Sequence, residues 1–452
     1  MEPRRWWLIP FLLIGLAAIL IRAWGCFDPL WFDEIFGLIH AEQLHHISDV
    51  FFTQHDDNKH HLTMLWLWHL GEFAPYWQYR VPSFIAGLAL PPLLYFAAKP
   101  RHGEKVAALA AFFTLTSYQI LQLSCEARGY ESAMAFAAAA WLCCGKYLRR
   151  PNAPMAAAFT LLCLLGFLSH LTFLYAYVGL FLWSAWELPR KSWPIWRMQF
   201  MILHGPIVIA MLWLYRTDLR YLYYIGGPHL TLYDLFAATA RDTFNIPQGW
   251  ENSAGIGVLA LIALGLISIV RRGDPDWPLF VGVILCAAWG IQHRIGANFA
   301  PRYILLAAPF LMVPLARVLE DISRLGQLRP LVMVAALAFG LSGVWRGATV
   351  FCGDEPRYPE AIQFMASHSA AGPGIVDCGS DDFVNKLLVD YYSRRSGKTS
   401  AWPRMAPAQW WVIQPLPNAP EIRRGPFWYR CVGSYPNRGV GLGWSLYELD
   451  HN

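Results

Sequence analysis

Residues 154–187 read PMAAAFTLLCLLGFLSHLTFLYAYVGLFLWSAWE, and Glu187 is the one charged side chain among these 34 residues. A membrane-spanning helix takes roughly 17–25 mostly apolar residues. The stretch is therefore two short spans, 154–170 and 171–187, joined by a tight hairpin at Ser169, His170 and Leu171. Outward from this pair, nine further apolar runs have spanning length: 6–25, 81–98, 106–123, 131–148, 199–215, 255–270, 277–292, 301–318 and 330–347. The expected fold class is an all-α polytopic membrane protein with about eleven transmembrane helices. The first run follows Met1-Glu2-Pro3-Arg4-Arg5 in the manner of a signal peptide, but no small-residue cleavage site comes after it, so it is read as a retained span. Residues 61–73 (HLTMLWLWHLGEF) are apolar but too short to cross, and read as a re-entrant or interfacial helix.

Composition agrees. Of the 452 residues 56% are hydrophobic and only 15% charged, and the mean hydropathy is +0.32. An ordinary soluble domain is about 25% charged, so a soluble globule, a disordered chain and a basic-patch nucleic-acid binder are excluded. Twenty-two Trp and 20 Tyr suit many membrane–water interfaces. The nine Cys contain no C-x-x-C pair and are too scattered for a disulfide scaffold.

Lys and Arg in short loops set the orientation. With the N-terminus inside, the inner segments (the start, 99–105, 146–153, 188–198, 271–276 and 319–329, with their helix ends) hold 16 basic and seven acidic residues. The net charge of +5 then resolves into a basic inside, an acidic outside and a neutral C-terminal part. An odd number of spans leaves the C-terminus outside, in an inner or plasma membrane. Residues 1–350 form the membrane domain, with external loops 26–80 and 216–254. Residues 351–452 carry ten basic and ten acidic residues, two helical patterns (358–369 and 381–394) and strand-like runs at 374–378, 409–414, 428–432 and 444–449. They are expected to form a small extracytoplasmic α/β domain. Cys352, Cys378 and Cys431 fall in it, either as one disulfide with a spare thiol or as free thiols.

Ionisable residues at membrane depth are functional candidates, and here they gather outside. Loop 26–80 holds Asp33-Glu34 and the run His55, Asp56, Asp57, Lys59, His60, His61; loop 216–254 holds Arg216, Arg220, Tyr221, Tyr223, Tyr224, His229 and Arg241. Between spans lie Glu126, Arg128 and Tyr130, the hairpin His170, and Arg302-Tyr303. An external site has no nucleotide-activated donor, and there is neither a GxxxxGK[ST] loop nor a GxGxxG after a strand. A donor delivered by the bilayer, a polyprenyl-phosphate-linked sugar, fits the setting. Its transfer needs one carboxylate base for the acceptor hydroxyl and cations for the departing phosphate. Each candidate also has a plain structural reading. Asp33-Glu34 can be a helix N-cap, Glu126 and Arg128 a pair within a turn, and Arg302-Tyr303 a snorkelling pair at the interface. No cofactor is assigned; a divalent metal could use His55, Asp56, Asp57, His60 and His61.

Five short motifs in order resemble the polyprenyl-phosphate-dependent glycosyltransferases of the C-type fold (GT-C), a superfamily that includes protein O-mannosyltransferases, lipid A aminoarabinose transferases and bacterial core-sugar transferases. They are Asp33-Glu34 after the first span; Lys59-His60-His61-Leu62-Thr63-Met64-Leu65-Trp66; Arg80-Val81-Pro82-Ser83; Ser124-Cys125-Glu126-Ala127-Arg128-Gly129-Tyr130; and Pro301-Arg302-Tyr303. The likeness runs over residues 6–320. His60-His61 stand where many relatives carry proline, and Gly129 replaces a larger residue. The resemblance implies an inverting glycosyltransferase with Asp33 as general base and Glu34 second. It implies that Arg128, Lys59 and Arg302 bind the lipid phosphate, and that Tyr130 and His60 line the pocket. His61, Arg80, Glu126 and Tyr303 complete the expected substrate-binding set. Expected partners are the lipid-linked donor, a lipid, glycan or protein acceptor, and membrane lipids, with no nucleic acid. The competing reading is a transporter or flippase of lipid-linked sugars, which would place ionisable residues near the midplane and show repeat symmetry.

Overall fold

The computed structural model describes residues 8–56, 58–190, 193–223, 231–294, 301–352, 358–372, 374–403, 407–413, 419–435 and 443–450. These divide into two compact units. Residues 1–26, 44–66 and 79–347 make the first, and residues 27–43, 67–78 and 348–452 the second.

The first unit is helical, and each of the eleven apolar runs falls on helix. Among the described residues five helices are long and apolar enough to cross a membrane: Tyr76–His102, Leu171–Arg190, Pro194–Tyr221, Glu251–Arg271 and Arg329–Phe351. Ile9–Gly25, Ala153–Ser169 and Trp277–His293 are apolar but shorter. The opening hairpin forms as expected. The helix Ala153–Ser169 stops at His170, whose backbone is extended, and a 3-10 turn at Leu171–Phe173 leads into Leu174–Glu187. That helix packs against Trp277–Arg294 through facing glycines: a Cβ at Gly179 would lie 2.5 Å from the Leu279 carbonyl oxygen, and one at Gly282 2.7 Å from the Gly179 Cα.

Two further runs are not continuous α-helix. Residues 106–123 break at Ser117 into Glu104–Thr116 and Tyr118–Leu123. Asn245, in the left-handed region at φ 56°, mends the break: its amide donates to the Thr116 carbonyl (3.0 Å) and its carbonyl accepts from Tyr118 N–H (2.8 Å). Asparagine tolerates that conformation better than most residues. Residues 301–318 begin as 3-10 turns at Pro301–Tyr303 and Leu305–Ala307 before the α-helix Ala308–Ser323.

Three of the basic segments meet one another through four ion pairs: His102 with Asp276 (3.1 Å), Lys105 with Glu320 (3.5 Å), Arg272 with Asp321 (2.7 Å) and Arg317 with Asp274 (3.8 Å).

Among the described residues the second unit holds a six-stranded mixed sheet of order β2-β1-β3-β6-β5-β4. Its strands are β1 Ile375–Gly379, β2 Thr399–Ala401, β3 Trp410–Ile413, β4 Glu421–Arg424, β5 Phe427–Tyr435 and β6 Trp444–Leu449. β1 is parallel to β2 and β3, and the remaining pairs are antiparallel. Helices Tyr358–Ser367 and Phe383–Arg395 accompany it, with Tyr358, Tyr391, Tyr392, Trp410 and Trp444 in the core. Residues 27–43 and 67–78 belong to this unit through specific bonds. Tyr392 Oη donates to the Leu30 carbonyl (2.5 Å), and Arg395 donates to the carbonyls of Glu72 and Ala74 (2.8 Å each). Cys352, Cys378 and Cys431 are all free thiols.

Candidate functional site

The acidic pair opens the helix Phe32–Glu42 in the second unit, and both carboxylates are buried. Glu34 Oε2 accepts the Trp31 backbone N–H at 3.1 Å, satisfying one of the orphan donors of a helix start. Of the two acids, Glu34 therefore caps.

In the first unit, loop residues from four places converge on one aromatic and cationic cluster. His60 precedes the short helix His61–Leu70, Arg128-Gly129-Tyr130 is the turn into the helix Tyr130–Arg149, His170 is the hairpin tip, and Arg302-Tyr303 lies in the 3-10 turn. The His60 ring stacks on His170 at 4.7 Å between centroids, and His170 on Tyr130 at 4.0 Å. Tyr303 lies 6.5 Å from Tyr130 and 6.4 Å from His170. Arg128 covers the Tyr130 ring at 5.7 Å and donates to Asn58 Oδ1. The charges of Arg128 and Arg302 both act on His60 and on His170. Burial, and then these arginines, hold the His60 imidazole well below its ordinary pKa, so the ring is neutral. Among the described residues neither of its ring nitrogens has a hydrogen-bond partner.

Close backbone approach builds this cluster. A Cβ at Gly129 would lie 1.8 Å from the Ser169 carbonyl oxygen, so a larger residue has no space here. Ser83 Oγ donates to the Arg128 carbonyl (2.8 Å), and Arg80 Nη1 donates to the carbonyls of Gly25 (3.0 Å) and Cys26 (3.3 Å). The Arg80-x-x-Ser83 motif thus ties its helix to the end of the first helix and to the arginine-bearing turn. Glu126 is buried, and its Oε1 accepts from Gln122 Nε2 (2.9 Å).

Lys59 and His61 face a second cluster, centred on Asp218. That buried carboxylate binds His55 Nδ1 (2.8 Å), Lys59 Nζ (2.5 Å) and His61 Nε2 (2.7 Å). The other Lys59 protons go to the carbonyls of Val50 (3.1 Å) and Gln54, which accounts for all three ammonium donors. Burial alone would raise the Asp218 carboxyl; its hydrogen bonds from His61, Lys59 and His55 outweigh that and hold it low. Burial lowers Lys59 and His61, with Asp218 opposing both shifts. Tyr223 N–H donates to the His55 carbonyl (2.9 Å), so loops 26–80 and 216–254 are laced together here. Among the described residues no group of three or more His, Cys, Asp or Glu is placed to hold a metal ion. His55 and His61 instead share Asp218 with a lysine. Asp57, Tyr224 and His229 lie outside the described residues.

Sequence reasoning brought His60, Arg128, Tyr130, Arg302 and Tyr303 to one place but left His170, Asn58 and Asp218 out of the site. His170 carried a signal, as a histidine at the tip of an apolar hairpin. Asp218 carried none, because its partners lie some 160 residues away in sequence.

No protein-family model matches the chain, and no curated protein matches it. Its fold is that of the C-type membrane glycosyltransferases. The likeness is to solved structures: ArnT, the aminoarabinose transferase of Cupriavidus metallidurans, in the apo state has a TM-score of 0.56 at 12% identity, covering 86% of this chain and 84% of that one. The same protein bound to undecaprenyl phosphate gives 0.55 at 12% identity, covering 87% and 85%. The Archaeoglobus fulgidus oligosaccharyltransferase in the apo form gives 0.51 at 12% identity, covering 88% of this chain but only 64% of that one.

Proposed function

We propose that this chain is a multi-pass membrane glycosyltransferase that moves a sugar from a polyprenyl-phosphate-linked donor to an acceptor outside the cytoplasmic face, with inversion. The observation that carries the reading is the packing of Arg128 and Arg302 around two stacked histidines and two tyrosines, within a fold shared with glycosyltransferases. Two guanidinium groups suit a phosphate that gains charge as it leaves, and an aromatic wall suits a sugar and a prenyl chain. ArnT's capture with undecaprenyl phosphate supports a lipid phosphate as the ligand class.

In the reaction, Asp33 takes the proton from the acceptor hydroxyl and the resulting oxygen attacks the anomeric carbon. The bond from that carbon to the phosphate oxygen breaks, and the polyprenyl phosphate departs against Arg128 and Arg302 without needing an acid. Asp33 is assigned the base because Glu34 caps the helix. His60 and Tyr130 line the pocket. Lys59, its protons committed to Asp218 and two carbonyls, supplies charge and order to the loop. Basic short loops support an N-terminus in the cytoplasm and a mixed-sheet unit outside.

The test gives membranes carrying Asp33→Asn a labelled polyprenyl-phosphate sugar, with the parent protein alongside. The parent should consume the donor and the variant should not. Transfer at the parent rate would remove Asp33 as base. A donor that crosses vesicles but is never consumed by the parent would replace the transferase with a transporter.

A further inference from the structure

The hairpin tip holds a histidine whose tautomer is set by its own turn. His170 caps the 3-10 turn Leu171–Phe173, and its Nδ1 accepts the Thr172 backbone N–H at 3.0 Å, with Thr172 Oγ1 at 2.7 Å. A backbone N–H can only donate, so Nδ1 must present its lone pair. The ring is then neutral with its single proton on Nε2. Among the described residues nothing else takes that proton. The ring cannot swing away, because it lies between His60 at 4.7 Å and Tyr130 at 4.0 Å, and the residue is buried. The Ser169 carbonyl pressed against Gly129 fixes the tip from the other side. Arg128 and Arg302 act on the same ring.

We propose that His170 is a binding residue for the phosphate of a polyprenyl-phosphate ligand, donating a hydrogen bond from Nε2 between the two arginines. This rests on the transferase reading above and adds to it a donor of a different kind. Arg128 and Arg302 supply charge, whereas His170 supplies a fixed neutral N–H that needs no reorientation when the phosphate arrives. The opening apolar hairpin thereby acquires a purpose for its one polar tip. Its two helices are short and nearly continuous, so the turn between them sits where neighbouring loops hold their arginines.

The test measures binding of farnesyl phosphate, with farnesol as the phosphate-free control, to the purified full chain in nanodiscs. His170→Phe keeps a ring between His60 and Tyr130 and removes the donor. It should weaken farnesyl phosphate binding roughly tenfold to a hundredfold, the range of a hydrogen bond to a charged group, and leave farnesol binding unchanged. His170→Gln, which retains an N–H near the Nε2 position, should recover most of the loss. Farnesyl phosphate binding equal to the parent's in His170→Phe would overturn the proposal. Histidine 15N spectra of the parent supply a readout that does not depend on a variant folding. They should show His170 as the Nε2–H tautomer with a shift on adding farnesyl phosphate, and an Nδ1–H tautomer or an unmoved signal would also overturn it. A parent that binds farnesol and farnesyl phosphate alike would instead defeat the transferase reading itself.

Discussion

His60 and His61 are neighbours in the chain and live in opposite surroundings. His61 Nε2 is bound to the Asp218 carboxylate, within a cluster where Lys59 has a carboxylate or carbonyl for each of its protons. His60 faces the other way, against His170 and Tyr130 and under the charges of Arg128 and Arg302, with neither ring nitrogen bonded among the described residues. The Asp218 cluster is complete in itself and offers a ligand nothing. The His60 cluster concentrates positive charge and aromatic surface, and its buried imidazole has unspent hydrogen-bonding capacity. On the proposed reading, one anchors the loop and the other receives the ligand. The anchor fixes the residues on both sides of His60, so it also sets where that ring stands.

The comparison breaks most visibly at Asp218. Asp218→Ala leaves the Lys59 ammonium buried without its carboxylate, which costs about 3–5 kcal/mol. Thermal unfolding in nanodiscs should report that loss, and adding Lys59→Met should recover much of it. A variant as stable as the parent would show that Asp218 is no anchor. On the other side of the comparison, Arg128→Ala should leave the fold largely intact and slow transfer by roughly 10²–10³, the scale for removing one group that stabilises transition-state charge. Arg302→Ala should fall in the same range. A change in stability at Asp218 with little change at Arg128, and the reverse for turnover, is the pattern that separates anchor from site.

Sequence reading and structure agree unevenly, and the reasons are physical. Long apolar runs announce themselves, and each one lies on helix. What periodicity missed was the break at Ser117, because the residue that mends it, Asn245, is far away in the chain. In the second unit β1, β3, β5 and β6 were legible from apolar and aromatic runs. The two strands that were not, β2 and β4, are the sheet edges, short and polar (Thr399–Ala401, Glu421–Arg424), as edges tend to be. At the site, motifs brought out Arg128, Tyr130 and Arg302, but motif order could not separate Lys59 from His60. Adjacent residues on a loop face opposite ways, and only the position of Asp218 decides which side each one serves.

Gly129 tests how closely the site depends on backbone contact. Gly129→Ala drives a methyl into the Ser169 carbonyl and must displace the hairpin tip. Overpacking of this kind costs about 1–3 kcal/mol. The expected outcome is a lower unfolding temperature together with weaker donor binding, since His170 moves with Ser169. Loss of stability with donor binding unchanged would uncouple the hairpin from the site.

The smallest effect concerns protons and sharpens the contrast between the two histidines. The folded-state pKa of His60 is lowered by burial and by the arginines, while in the unfolded chain the ring titrates near 6.5. As pH falls below that value the unfolded state binds a proton that the folded state refuses, so stability drops with falling pH by up to about 1.4 kcal/mol per unit. His61 shifts in the same direction through burial, but Asp218 opposes the shift, so its share is smaller. The Asp218 carboxyl, held low, keeps its contribution throughout this range and loses it only in stronger acid, as pH falls through its folded pKa. Unfolding free energies measured at pH 7.5 and 5.5 should therefore differ less in His60→Phe than in the parent, by about 1.4 kcal/mol for the single unit below 6.5, while His61→Phe changes the difference less. Equal pH dependence in the parent and His60→Phe would mean that His60 accepts a proton where it stands, and the cluster would then hold a third cation.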